Sequence, residues 1–166
     1  MKLAIQVLND LKREGVIADY AIGGAIAALF YAEPSFTQDL DVFVLFPEPK
    51  RGKLISLGPI YAALRNRGYK AFKEFVEIEG ILVQFLPASG ALLEEALKEA
   101  YNKRYEGTPT RVMRPEHLIA IALQTGRAKD RARVSLLMEQ ATMEMDYLRL
   151  VLKRHKLDKE FAKWQG

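Results

Sequence analysis

The sequence predicts a mixed α/β protein (α+β in layout), with one β-sheet covered by helices and a helical bundle at its C-terminal end. Three observations predict it. β-rich and helix-like runs are interleaved up to Leu86, strict strand–helix alternation fails after Gly68, and from Leu92 onward apolar residues recur at helical spacing. With 166 residues, 49% of them hydrophobic, the chain is long enough for one buried core and short for two independent ones. The expected organisation is an α/β core over residues 1–90 and a helical part over 91–166, packed as one compact unit.

Leu3, Val7, Leu8 and Leu11 recur at helical spacing, with Gly15 as a stop. Val16 to Ile22 reads as a short strand broken by Gly23-Gly24, and Ala25 to Ala32 as a short buried helix ended by Pro34. Asp39 to Phe46 is a strand closed by Pro47. Leu54 to Arg67 has helix-like spacing, its start moved to about Gly58 by Pro59 and its end set by Gly68. Tyr69 to Ile78 and Ile81 to Leu86 form two strands joined at Glu79-Gly80. The stripe Leu92, Leu93, Ala96, Leu97 and Ala100 opens the helical part, which contains one short extended piece, Thr110 to Met113. Pro115 starts a helix that stops at Gly126, and two further stripes run through Val134–Ala141 and Tyr147–Leu152.

Composition removes several functions. The absence of cysteine excludes disulfides, thiolate metal sites and a cysteine nucleophile, and fits a reducing compartment. The longest uncharged stretch, Tyr20 to Ala32, is too short to span a bilayer, and the N-terminus lacks the apolar run of a secretory signal. A cytoplasmic protein that does not engage membranes is expected. Charge is unevenly spread: from Lys98 onward 15 Lys/Arg face 9 Asp/Glu, against 10 and 12 before it. A positive part beside a carboxylate-bearing part suits a polyanionic ligand.

The most informative stretch is Gly23-Gly24 followed by Thr37-Gln38-Asp39-Leu40-Asp41-Val42. Residues two apart on a strand share a face, so Asp39 and Asp41 present carboxylates side by side while Leu40 and Val42 enter the core. Two like charges held that close call for a cation. Mg²⁺ takes oxygen ligands and commonly lies between carboxylates and substrate phosphates. Two glycines ending a strand let backbone approach phosphate oxygens.

Together these residues resemble the signature of the DNA polymerase β-type nucleotidyltransferase superfamily, a Gly-Gly or Gly-Ser turn, a helix and an Asp-x-Asp strand. The form is most similar to the branch of antibiotic nucleotidyltransferases and abortive-infection toxin-like proteins. Pro115-Glu116-His117-Leu118 and Gly126-Arg127-Ala128-Lys129-Asp130-Arg131 resemble the helical part of small members. The resemblance implies a nucleotidyltransferase-like fold in which Asp39 and Asp41 hold Mg²⁺ and a nucleoside triphosphate. Gly23, Gly24 and Thr37 would hold phosphates, and Lys129 would neutralise charge. A nucleoside monophosphate would pass to a hydroxyl of a small molecule, RNA or protein.

One departure matters. The superfamily's third carboxylate lies on a later strand, and the matching place here holds Gln84, which can offer an oxygen but cannot take a proton. Three accounts stay open: one metal with Gln84 as a neutral ligand, a carboxylate supplied by Glu74, Glu77 or Glu79, or nucleotide binding without turnover. The last would make the chain a nucleotide-sensing or toxin/antitoxin-type module with a protein partner. Arg127 and Arg131 are further phosphate candidates, with Asp130 orienting one of the cations. RNA binding through the basic helices is a third possibility. His117, His155, Ser56, Ser89 and Ser135 are expected to be structural or surface residues.

Overall fold

The computed structural model describes residues 1–33, 39–47 and 56–165. Thr37 and Gln38 lie outside the described residues. The elements are α1 (Lys2–Arg13), β1 (Asp19–Ile22), α2 (Gly24–Ala28), β2 (Asp39–Leu45), α3 (Gly58–Asn66), β3 (Ala71–Phe72), β4 (Phe75–Ile78), β5 (Ile81–Pro87), α4 (Ala91–Lys98), β6 (Tyr101–Tyr105) and β7 (Thr108–Val112). Four helices follow: α5 (Pro115–Thr125), α6 (Ala128–Gln140), α7 (Met145–Arg154) and α8 (Asp158–Gln165).

Among the described residues the strands form one seven-stranded sheet in the order β3-β4-β5-β2-β1-β7-β6. It is mixed, as expected. β2 runs antiparallel to β1 and parallel to β5, while β7 runs parallel to β1. The central strand β2 owes its place to alternation: Leu40, Val42 and Val44 are fully buried, and Asp39, Asp41 and Phe43 are half-buried on the other face. α1 lays Ile5, Leu8 and Leu11 into the core against β1, β4 and β7. α5 is buried nearly all round because α2, α4, α6 and α7 surround it, and it ends at Gly126 with φ 72°, a left-handed cap that suits glycine.

Two expectations about strands need correction. The extended piece at Thr110 to Met113 is part of a complete β6–β7 hairpin, which lies beyond residue 90 yet belongs to the same sheet as the core. Its turn, Glu106-Gly107, has both residues at positive φ (45° and 79°), the backbone that a tight hairpin of right-twisted strands requires. Glu79-Gly80 adopts the same pattern between β4 and β5 (51° and 77°). The run Tyr69 to Ile78 is likewise not one strand. It folds back at Lys73, φ 54°, so that Phe72 pairs with Phe75.

A partly buried polar knot joins the helices. Glu95 of α4 accepts hydrogen bonds from His117 of α5 (3.2 Å) and from His155, just after α7 (2.9 Å), and pairs with Arg154 (2.9 Å). Burial pushes its carboxyl up, but the bonds from Arg154, His155 and His117 outweigh this and hold it at about 2. Both histidines thus bond the same carboxylate. Ser56 accepts a bond from the Gly58 N–H at 3.0 Å, at the start of α3.

Candidate nucleotide and metal site

The site begins where β1 ends. Ile22 pairs with Val42, and the Gly23 N–H donates to the Asp41 carbonyl at 2.9 Å, so the glycine turn lies directly beside the second aspartate. Gly24 has φ +59°, and a Cβ there would collide with Asp41 Oδ2. A Cβ on Gly23 would meet the Phe43 ring. The two glycines thus do different things: Gly24 makes room for the carboxylate, and Gly23 for the aromatic ring that follows it on the same face. α2, which starts here, packs on β2.

β5 supplies the neighbouring position. In the parallel register Asp39 faces Leu82 and Asp41 faces Gln84, so Gln84 lies on the aspartate face immediately beside Asp41. Glu77 pairs with Leu82 and shares this face, two strands from Asp39, roughly 10 Å away at the usual strand spacing. Glu79 does not share a strand face with Glu77, because it occupies the turn, where its carboxylate accepts a bond from the Tyr69 hydroxyl at 2.7 Å. Glu74 lies between β3 and β4. Among the described residues, no three His, Asp or Glu side chains cluster closely enough to hold a metal ion.

The cations come from α6. Asp130, fully buried, lies at the third position of this helix and forms a capping box with Arg127. Its carboxylate accepts from Arg127 Nε at 2.7 Å and Nη2 at 3.2 Å, and from Arg133 Nη1 at 3.2 Å. Asp130 therefore orients two arginines. Burial, then the adjacent Asp39 charge, pushes the Asp41 carboxyl above its ordinary value, while Arg133, Lys129 and Arg127 pull it down. All three cations consequently lie within electrostatic reach of Asp41. Arg131 points elsewhere, its guanidinium 5.2 Å from the Trp164 ring centre.

Arg133 is the residue that sequence reasoning missed. The available signal was its spacing: three residues after Asp130, it falls on the same helix face, and an acid so placed can pair with it.

Asp39 and Asp41 fit a divalent cation. They are adjacent hard oxygen donors on one face, and burial and mutual repulsion both disfavour the charged state of Asp41 unless positive charge is near.

The mixed seven-stranded sheet with its C-terminal helices is a nucleotidyltransferase-like fold. The chain is similar over nearly its whole length to ANT(2'')-Ia in complex with adenylyl-2''-tobramycin, with a TM-score of 0.59, 18% identity, and 96% of this chain and 98% of that chain covered. A solution structure of the antibiotic-resistance factor ANT(2'')-Ia gives a TM-score of 0.55 and 17% identity over 99% and 94% of the two chains. An antigenic nucleotidyltransferase-like protein from Paracoccidioides brasiliensis gives 0.57 and 13% over 82% and 73%. No family model matches the sequence, and no curated protein sequence matches it. No helix of the described residues is long and apolar enough to cross a membrane.

Proposed function

We propose that this chain binds a nucleoside triphosphate with Mg²⁺ and transfers the nucleoside monophosphate to a hydroxyl acceptor. The observation that carries this reading is the fit of Gly24 to Asp41, in which the missing Cβ of the glycine turn is the space the carboxylate fills. Asp39 and Asp41 would hold the cation. When bound, Mg²⁺ supplies charge neutralisation at the phosphates and polarises the phosphorus to be attacked. Gly23 and Gly24 would let backbone approach the phosphates, with Thr37, outside the described residues, as a further phosphate contact. Lys129 and Arg127 would meet the triphosphate from the opposite side. The acceptor oxygen bonds to the α-phosphorus as the bond to the β-phosphate bridge breaks. Pyrophosphate leaves, and the hydroxyl proton passes to water, because Gln84 beside Asp41 cannot take it.

Each of four labelled triphosphates, offered with Mg²⁺ and a panel of small-molecule, RNA and protein acceptors, tests the reading. The adenylyl-tobramycin bound to ANT(2'')-Ia places aminosugars first on that panel. Asp39→Ala and Asp41→Ala should each lower transfer by at least about 100-fold, the loss typical of removing a charge-stabilising group. Failure of the folded protein to bind any of the four triphosphates with Mg²⁺ in calorimetry would sink the proposal.

Gln84 favours a second reading, a nucleotide-sensing or toxin/antitoxin-type module with a protein partner. An inert wild type that binds triphosphate and gains transfer activity on Gln84→Asp would support it.

A further inference from the structure

We infer that this site works with one divalent cation, and that the Arg133 guanidinium, clamped by Asp130, supplies the positive charge that a second cation would otherwise bring. The inference rests on the nucleotide-binding reading above and concerns how the same site balances its charge. It stands on three features. A neutral side chain, Gln84, occupies the register position next to Asp41. Of the nearby carboxylates on the hairpin, Glu77 is separated from Asp39 by Leu82, and Glu79 is engaged by Tyr69. The aspartate pair is therefore the only closely spaced carboxylate set among the described residues on this face, enough for one hard divalent ion sharing phosphate oxygens and poor for two.

The third feature is the clamp, carried on α6, which packs against α2, the helix that starts at the Gly24 turn and lies on β2. Asp130 is fully buried, and the Arg133 side chain is only 16% exposed, against 54% for Arg127. A buried carboxylate without its cations would be costly, so Asp130 holds its two arginines firmly and limits where each guanidinium can go. An arginine cannot lose its proton near neutral pH and presents several donors in a plane, which suits a polyphosphate. Lys129 is exposed, and among the described residues no carboxylate clamps it. Of the α6 cations, Arg133 is thus the most sheltered, and Asp130 is its positioning residue.

Inorganic triphosphate makes the test independent of which base the site prefers. With protein and saturating triphosphate, Mn²⁺ bound per chain is counted from the loss of the free-ion electron paramagnetic resonance signal. The wild type should retain one ion per bound triphosphate, the ion that a protein-free triphosphate control also chelates, and Gln84→Asp combined with Arg133→Ala should retain two. Arg133→Ala alone should weaken triphosphate binding by about tenfold or more, whereas Arg133→Lys keeps the charge and should lose less than about half of that in logarithmic terms. Asp130 keeps Arg127 in the Arg133 variants, and an unchanged thermal midpoint for Arg133→Lys separates the charge effect from folding. Two ions retained by the wild type, or full affinity in Arg133→Ala, would overturn the inference and leave the nucleotide reading standing. Absence of triphosphate and nucleotide binding altogether would overturn both.

Discussion

Gly24 carries two constraints at once, a left-handed backbone and a side-chain-free approach to Asp41. Gly15 has a similar φ, +73°, but open space around its missing Cβ. The pair separates strain from collision. Gly15→Ala should cost about 1–2 kcal/mol, measured by urea unfolding, and leave nucleotide binding unchanged. Gly24→Ala should cost as much through strain and also displace the Asp41 carboxylate, so Mg²⁺–triphosphate binding should fall below detection in calorimetry. A Gly24→Ala variant with wild-type binding would show that the glycine serves the turn alone. At the neighbouring strand, Gln84→Asp adds a carboxylate beside Asp41, and in an active wild type it should raise kcat by about tenfold or more through general-base help. An unchanged rate would mean that the hydroxyl proton is not limiting. Both aspartates and Gln84 were legible in the sequence because a strand's alternation assigns faces from spacing alone.

The elements were legible where their punctuation was strong. Pro115 and Gly126 bound α5 as the residues suggest, and Pro59 starts α3 within one residue of the expected place. The β6–β7 hairpin was not, because Asn102, Lys103 and Arg104 give an edge strand a polar look, although Glu106-Gly107 repeats the turn chemistry of Glu79-Gly80. Between elements, the Glu95 knot makes acid sensitivity testable. The carboxyl titrates at about 2 in the fold against an ordinary 4.5, so its contribution is fully present above 4.5 and is lost as pH falls toward 2. Burial also lowers the His117 value, which adds a loss on protonation below its ordinary 6.5. Urea midpoints should therefore fall as pH drops from 4.5 to 2, by up to about 3 kcal/mol in unfolding free energy for the Glu95 part. Glu95→Gln should flatten that part of the curve while starting from lower stability at pH 7. A parallel-shifted curve with the same slope would contradict the role assigned to Glu95.

In the whole molecule, stability and function are unevenly distributed. β2 and β5 sit inside the sheet with fully buried Leu40, Val42 and Val83, whereas α8 has no buried residue. Amide exchange should follow this contrast: the β2 and β5 core amides should exchange only through global unfolding, and α8 through local opening at least about 100-fold faster. Equal protection across both would mean that the half-buried Phe161 and Trp164 hold α8 as firmly as the sheet holds β2 and β5. Of the excess positive charge after Lys98, visible as a count, Arg127, Lys129 and Arg133, in and just before α6, come within electrostatic reach of Asp41.

By itself the sequence determined the class of fold, the face of the aspartate pair and the neutrality of its neighbour Gln84, because alternation, glycine and proline act through local sterics that neighbouring residues reveal. Tertiary structure alone decided that Gly24 is shaped to Asp41, that β6 and β7 extend the sheet, and that Arg133 comes within electrostatic reach of Asp41 while Arg131 packs on Trp164. Each of these depends on close approach between residues far apart in the chain, where distance and burial, not local spacing, set the energy.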